Sequence, residues 1–123
     1  MLNSRQKFGE KSESIAVSYL KKKGYKIVEQ NYRTKLGEID IIAKEKGTIV
    51  FVEVKSRKSK NFGNPKWAVT PQKQRKISMV ALQYLKTTRQ SNVKARFDVV
   101  SIIFSYDNPV IEVIKNAFEL AYG

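Results

Sequence analysis

The chain has 123 residues, 41% of them hydrophobic, which is enough for one domain around a single core. Its 24 lysines and arginines against 11 acids give a net charge of +13, a field that favours an anionic partner, above all nucleic acid. With no Cys and no His, disulfides, thiolates, His-ligated zinc and a Ser-His-Asp triad are excluded. Any metal must then be held by oxygen, and any acid–base chemistry must use carboxylate, Lys, Tyr or water. A phosphate-binding GxxxxGK[ST] loop is also missing. The basic residues are spread along the chain rather than gathered on one amphipathic helix, which argues against a membrane-surface protein. No apolar run approaches the roughly 20 residues needed to span a bilayer. The opening stretch, MLNSRQKFGEKSES, lacks an apolar signal core, so the expected compartment is the cytoplasm.

Ser4 to Lys23 reads as a helix. Phe8, Ile15, Ala16, Tyr19 and Leu20 recur at helical spacing, and Gly24 supplies the stop. Lys21, Lys22 and Lys23 suit the negative end of the helix dipole as a solvated terminus. Tyr25 to Tyr32 reads as a strand, with Asn31, Tyr32 and Arg33 near its end. Tyr32 or Arg33 there can stack on or grip nucleic acid, although an edge residue with no such role is the plainer interpretation.

Gly37 to Lys55 reads as a hairpin. Two apolar, β-branched runs, IDIIA and TIVFVEVK, flank the turn-forming pair Lys46-Gly47. Alternation puts Glu38, Asp40 and Ile42 on one face of the first strand, and Ile49, Phe51, Glu53 and Lys55 on one face of the second. A turn centred on Lys46-Gly47 makes paired residue numbers sum to 93, so Asp40 falls opposite Glu53. Directly opposed residues share a face, with Cβ atoms about 4.5–5.5 Å apart. Two adjacent carboxylates repel, and a hard divalent cation resolves that repulsion. Mg²⁺ (or Mn²⁺) takes oxygen ligands and often uses only one or two protein carboxylates plus water and substrate phosphate. Lys55 then faces the same space, where it can orient a water or neutralise a phosphate. The competing interpretation is a surface ion pair of Lys55 with Glu53 or Asp40.

Ser56 to Lys66 reads as a loop whose cations Arg57, Lys58, Lys60 and Lys66 stand beside the acids and favour phosphate contacts. Trp67 reads as a packing residue. Thr70 as N-cap and Pro71 as first residue open a second helix. Ile77, Val80, Ala81, Tyr84 and Leu85 form its apolar stripe. Lys73 lies one turn before Ile77 on that face, flanked by Gln72, Arg75 and Lys76. A lysine at a helix start opposes the dipole, a conflict that a bound phosphate would remove; a lysine snorkelling over the core edge is the alternative. Arg96 to Phe104 is a nearly continuous apolar run and reads as a buried strand, parallel to its neighbour after the helical crossover. Asp98 within it reads as structural, satisfied by Arg96 or a backbone amide. Tyr106-Asp107-Asn108-Pro109 reads as a turn, Val110 to Ile114 as a short last strand, and Asn116 to Tyr122 as an apolar tail or helical turn.

The Asp40…Glu53-Val54-Lys55 pattern resembles the D…(D/E)-X-K signature of the restriction-endonuclease-like nuclease superfamily. Taken in order, Gly9-Glu10, Gly24-Tyr25, Asn31-Tyr32-Arg33, Gly37-Glu38-Ile39-Asp40, Phe51 to Arg57, Lys73, Arg96 to Val100 and Asn116-Ala117-Phe118 resemble the YraN-like family of small bacterial proteins, distantly akin to archaeal Holliday-junction resolvases. The short pattern alone is weak; the ordered set covers nearly the whole chain and is specific. The resemblance implies that Glu10 approaches the metal, a solvated acid favoured by the helix dipole being the alternative and Glu13 a weaker candidate, and that Lys73 belongs to the site. It also implies a homodimer.

The expected fold is α/β and restriction-endonuclease-like, in the order α-β-β-β-α-β-β, a mixed sheet flanked by helices in one domain spanning 1–123. The expected function is Mg²⁺-dependent phosphodiester hydrolysis on DNA, branched or otherwise structured DNA included. Asp40, Glu53 and Lys55 are the expected catalytic residues, and Asp40, Glu53 and Glu10 the expected metal ligands. Arg33, Arg57, Lys58, Lys60, Lys73, Arg75 and Lys76 are the expected nucleic-acid contacts. The alternative is a non-catalytic basic nucleic-acid-binding protein on the same fold. It accounts for the charge but not for the paired acids, because bare carboxylates in a phosphate-binding groove weaken binding.

Overall fold

The computed structural model describes residues 3–58, 69–104 and 108–119. Helix α1 runs Ser4–Lys22, strands β1 Lys26–Thr34, β2 Gly37–Glu45 and β3 Thr48–Arg57, helix α2 Pro71–Thr87, and strands β4 Ala95–Ile103 and β5 Val110–Phe118. The five strands lie side by side in chain order. All neighbours are antiparallel except β3 and β4, which the α2 crossover makes parallel. The element order and the mixed sheet are as the sequence predicts. Among the described residues no helix is long and apolar enough to cross a membrane.

Each helix covers one face. Ala16, Val17 and Leu20 of α1 pack with Tyr25, Ile41, Ala43, Val50, Val52, Val100 and Ile102. Ile77, Val80, Ala81, Tyr84 and Leu85 of α2 pack with Ile39, Ile42, Ile49, Phe51, Phe97 and Val99 on the other side. A capping box starts α1: the Gln6 backbone N–H donates to Asn3 Oδ1 at 2.8 Å, and the Asn3 N–H donates to Gln6 Oε1 at 3.0 Å. Thr70 caps α2 by accepting the Lys73 N–H. Tyr32 packs edge-on against Tyr84 at 5.2 Å between ring centroids, so its ring belongs to the core rather than to a stacking surface.

The turn at Lys46 and Gly47 has positive φ at both residues (49° and 81°), the geometry whose twist matches a two-residue hairpin. Its register obeys the expected sum from Glu45↔Thr48 to Ile41↔Val52. Strict alternation along β2 does not survive to its start, however. Ile39 faces α2 whereas Ile41 faces α1, so the strand changes phase at Asp40. Asn31 stands across from that point, between Gln30 and Tyr32, and takes φ 53°.

Three boundaries differ from expectation. Ser56 and Arg57 continue β3 instead of opening a loop, because β4 offers them parallel partners in Ile102 and Ile103. Asn116 to Phe118 is strand, not tail or helical turn. Phe118 stacks on Phe97 at 4.6 Å, and a register shift at Asn116 lets its N–H reach Asp98. Strand β1 also runs two residues past Tyr32, to Thr34. Lys60, Lys66, Trp67, Tyr106 and Asp107 lie outside the described residues.

Asp98, fully buried, accepts from the Tyr25 hydroxyl at 2.8 Å, Arg96 Nε at 3.0 Å and the Asn116 N–H at 3.0 Å. Arg96 also pairs with Glu45, to which Lys115 adds a second cation at 3.0 Å. This polar network fastens the turn end of β2 to β4 and β5.

Candidate active site

Strands β2 and β3 part at Asp40. The ladder's last regular pair is Ile41↔Val52. Beyond it, the Val54 N–H donates to Asp40 Oδ2 at 2.8 Å, so a carboxylate takes the place of a β2 backbone carbonyl. That bond fixes Asp40 in the opening between the strands. Glu53 projects from β3 toward α2, buried to 9% exposure, and meets Lys73 Nζ at 3.1 Å through Oε2. The two carboxylates are close enough for Asp40 to perturb Glu53 both through its charge and through a hydrogen bond. Lys55 lies two residues beyond Glu53 on the same side of β3, half buried.

The electrostatics follow from this crowding. Burial first, and then the neighbouring Asp40, push the Glu53 carboxyl up to about 8 against the partial relief that Lys73 provides. Burial, then Lys73, holds the Lys55 ammonium below its usual value, with Glu53 opposing. An acid whose folded pKa is raised holds its proton more firmly folded than unfolded. Folding stability should therefore fall as pH rises from about 4.5 to about 8, the window between the ordinary value and the raised one. Glu53→Gln removes that titration. Metal-free urea denaturation at pH 5, 7 and 9 is expected to show wild type losing stability relative to the variant with rising pH. A difference that stays flat, or runs the other way, contradicts the assignment.

A second wall comes from α1. A cavity of about 390 Å³ is lined by Gln6, Gly9, Glu10 and Glu13 of α1 with Asn31, Arg33, Glu38 and Asp40 of the sheet. Glu10 is exposed on its rim. Glu13 is half buried, and its carboxyl is raised by burial and then by Asp40, with an Asn31 hydrogen bond opposing. Of the two helix acids, Glu13 is thus the one in electrostatic contact with Asp40. Its signal was present in the sequence: it precedes Ala16, Val17 and Leu20 by three, four and seven residues, an acid on the apolar stripe. Asn31 carried no comparable signal, because its place depends on the backbone bend opposite Asp40.

The expected cations are distributed around this centre. Arg33 pairs with Glu38 at 3.3 Å, with its side chain 74% exposed. Arg57 ends β3, half buried, and its carbonyl accepts the Phe104 N–H. Lys58 lies over the Phe8 ring at 5.3 Å. Lys73, Arg75 and Lys76 are all exposed in the first turns of α2, and Lys73 also reaches Glu53.

Among the described residues no three carboxylates converge on one point. The Asp40–Glu53 pair still suits a hard cation. Its donors are all oxygen, one carboxylate is fixed by a backbone amide and lines a cavity that water and phosphate can enter, and the other is buried beside it.

Fold and centre together define a small basic α/β protein with a two-carboxylate site where two strands part. Residues 12–102 match the model of the family described as uncharacterised protein family UPF0102, and the chain belongs to that family, the one to which the YraN-like resemblance pointed. A UPF0102 protein of Desulfosudis oleivorans is 55% identical over 119 residues, covering 97% of this chain and 95% of the relative. One from Geobacter metallireducens is 57% identical over 114 residues, covering 93% of each. One from Syntrophus aciditrophicus is 54% identical over 115 residues, covering 94% and 91%.

Proposed function

We propose that this protein is a metal-dependent endonuclease of the restriction-endonuclease-like type, hydrolysing phosphodiester bonds in DNA. The observation that carries this reading is the Asp40–Glu53 pair, with Lys55 beside it, at an opening between strands on a chain of net charge +13. Asp40 and Glu53 would hold Mg²⁺ or Mn²⁺, with Glu13 or Glu10 within reach from α1. When bound, such an ion supplies Lewis-acid stabilisation and a water of lowered pKa. Lys55, its proton already loosened by burial and by Lys73, orients the attacking water and offsets charge developing on the phosphate. Arg33, Arg57, Lys58, Arg75 and Lys76 surround the acids and attract the backbone. Branched or otherwise structured DNA, and action as a homodimer, belong to the reading through the resemblance to junction resolvases.

The experiment is purified protein with Mg²⁺ or Mn²⁺ on duplex, single-stranded, flap and four-way-junction DNA, with and without a chelator. Metal-dependent cutting of at least one substrate is expected. Cutting of none under either metal leaves a non-catalytic nucleic-acid-binding protein as the better account of the charge.

Binding itself should be dominated by phosphate contacts, since basic side chains abound and no base-reading motif is present. Affinity for duplex DNA is expected to fall steeply with salt, with a log–log slope of about −0.9 per phosphate neutralised. Scrambling the sequence should change it little. Fluorescence anisotropy across roughly 50 to 200 mM salt reads both; salt-independent affinity would exclude phosphate as the main contact.

A further inference from the structure

Lys73 stands in the first turn of α2, where an ammonium opposes the helix dipole and no acid offsets it. Its partner is across the site: Nζ lies 3.1 Å from Glu53 Oε2. The two side chains are unequal. Lys73 is 51% exposed and Glu53 only 9%, so the lysine reaches the acid from outside on a flexible, hydrated stem. Asp40 is committed differently, its Oδ2 fixed by the Val54 N–H within the sheet. Of the two acids, Glu53 is thus the one whose outward oxygen is taken by a cation that can leave.

We propose that Lys73 is a resident counter-ion that competes with a divalent cation for Glu53. The inference rests on the two-carboxylate metal site proposed above and adds an order of events to it. Without substrate, the ammonium offsets the repulsion between the acids and keeps ion affinity low. A nucleic-acid phosphate engaging Lys73, with Arg75 and Lys76 exposed beside it, releases Glu53. Metal and nucleic acid then strengthen one another's binding by the same factor, as linkage requires. Lys73 acts here as a positioning residue, through Glu53.

The test is calorimetric titration of Mn²⁺ into DNA-free protein at about 0.15 M salt, where distant charges are screened within about 8 Å. Wild type is compared with Lys73→Gln, Lys73→Arg and Lys86→Gln. Lys86, in the last turn of α2, loses the same charge far from the acids. Lys73→Gln is expected to bind Mn²⁺ roughly tenfold tighter, within the usual range of coupling between sites. Lys73→Arg should bind no tighter than wild type, and Lys86→Gln within about twofold of it. Equal affinity for wild type and Lys73→Gln, or an equal gain in Lys86→Gln, overturns the competition while leaving the metal site standing. Absence of Mn²⁺ binding in every variant overturns the competition and the metal site together. Tighter binding by Lys73→Gln supports the competition even if wild type cuts no DNA.

Discussion

Glu53→Gln is expected to lower metal-dependent DNA cleavage by about a thousandfold or more, with DNA affinity unchanged or higher. The glutamine keeps the shape of the side chain and removes one of the two oxyanions that would hold the proposed cation. Loss of several kcal/mol of transition-state stabilisation is typical for such a step, and each ~1.4 kcal/mol is tenfold in rate. Affinity holds because a negative charge leaves the surface proposed to meet phosphate. Asp40→Asn should lose cleavage equally, since its remaining carbonyl oxygen can still accept the Val54 N–H and preserve the strand opening. Lys55→Ala should also lose cleavage, but with slightly weaker binding, because a cation is removed. Single-turnover cleavage alongside anisotropy separates rate from affinity. A Glu53→Gln protein that cuts as fast as wild type rules out catalysis at this pair.

Asp98→Ala is expected to cost about 3–5 kcal/mol of folding stability, as when one partner of a buried charge cluster is removed. Four donors lose an acceptor at once: the Tyr25 hydroxyl, Arg96 Nε and Nη2, and the Asn116 N–H. Burial, reinforced by Asp98, already holds the Tyr25 phenol far above its ordinary pKa, so it can respond only as an orphaned donor. Asp98→Asn should cost less, because a carbonyl acceptor remains. Urea denaturation of both variants measures this. A loss under about 1 kcal/mol for the alanine would mean that water or relaxation replaces the carboxylate. No member of the network lines the cavity at Asp40, so DNA affinity of the folded variant should match wild type.

The hairpin was legible in the sequence because its information is local. Lys46-Gly47 specifies the turn, the turn fixes the register, and the register carries Asp40 toward Glu53. The α2 stripe and the buried β4 run were legible for the same reason: a helical period in one and unbroken apolarity in the other each lie within one segment. Asp98 was readable as a structural acid because no other acid interrupts its apolar run.

What escaped depends on contacts between segments. The phase change at Asp40 follows from a bend in β1 at Asn31, and no alternation rule within β2 contains it. Asn116 to Phe118 lacks a strand period of its own and joins the sheet because Phe97 and Asp98 hold it. Lys73 showed its conflict with the helix dipole in the sequence, and a phosphate was the natural remedy. The fold supplies a different one, Glu53, from the preceding strand, which the chain brings beneath the first turn of the helix.

The parallel pairing of β3 with β4 has a kinetic consequence. Strands β1, β2 and β3 are joined by two-residue turns, whereas every β3–β4 partner is 46 positions away in the chain. Closing that span carries an entropy cost that grows only logarithmically with length, but it must be met before any β4 contact rewards it. We therefore expect the three-stranded meander to order first and the crossover to follow. In that sequence Asp40 and Glu53 meet before α2 delivers Lys73, so the early hairpin bears their repulsion alone. Phi values near one for Ile41→Val and Val52→Ala, and near zero for Lys73→Gln, would be the signature. The reverse pattern would put the crossover in the nucleus and make the lysine, rather than the turn, the agent that brings the two acids together.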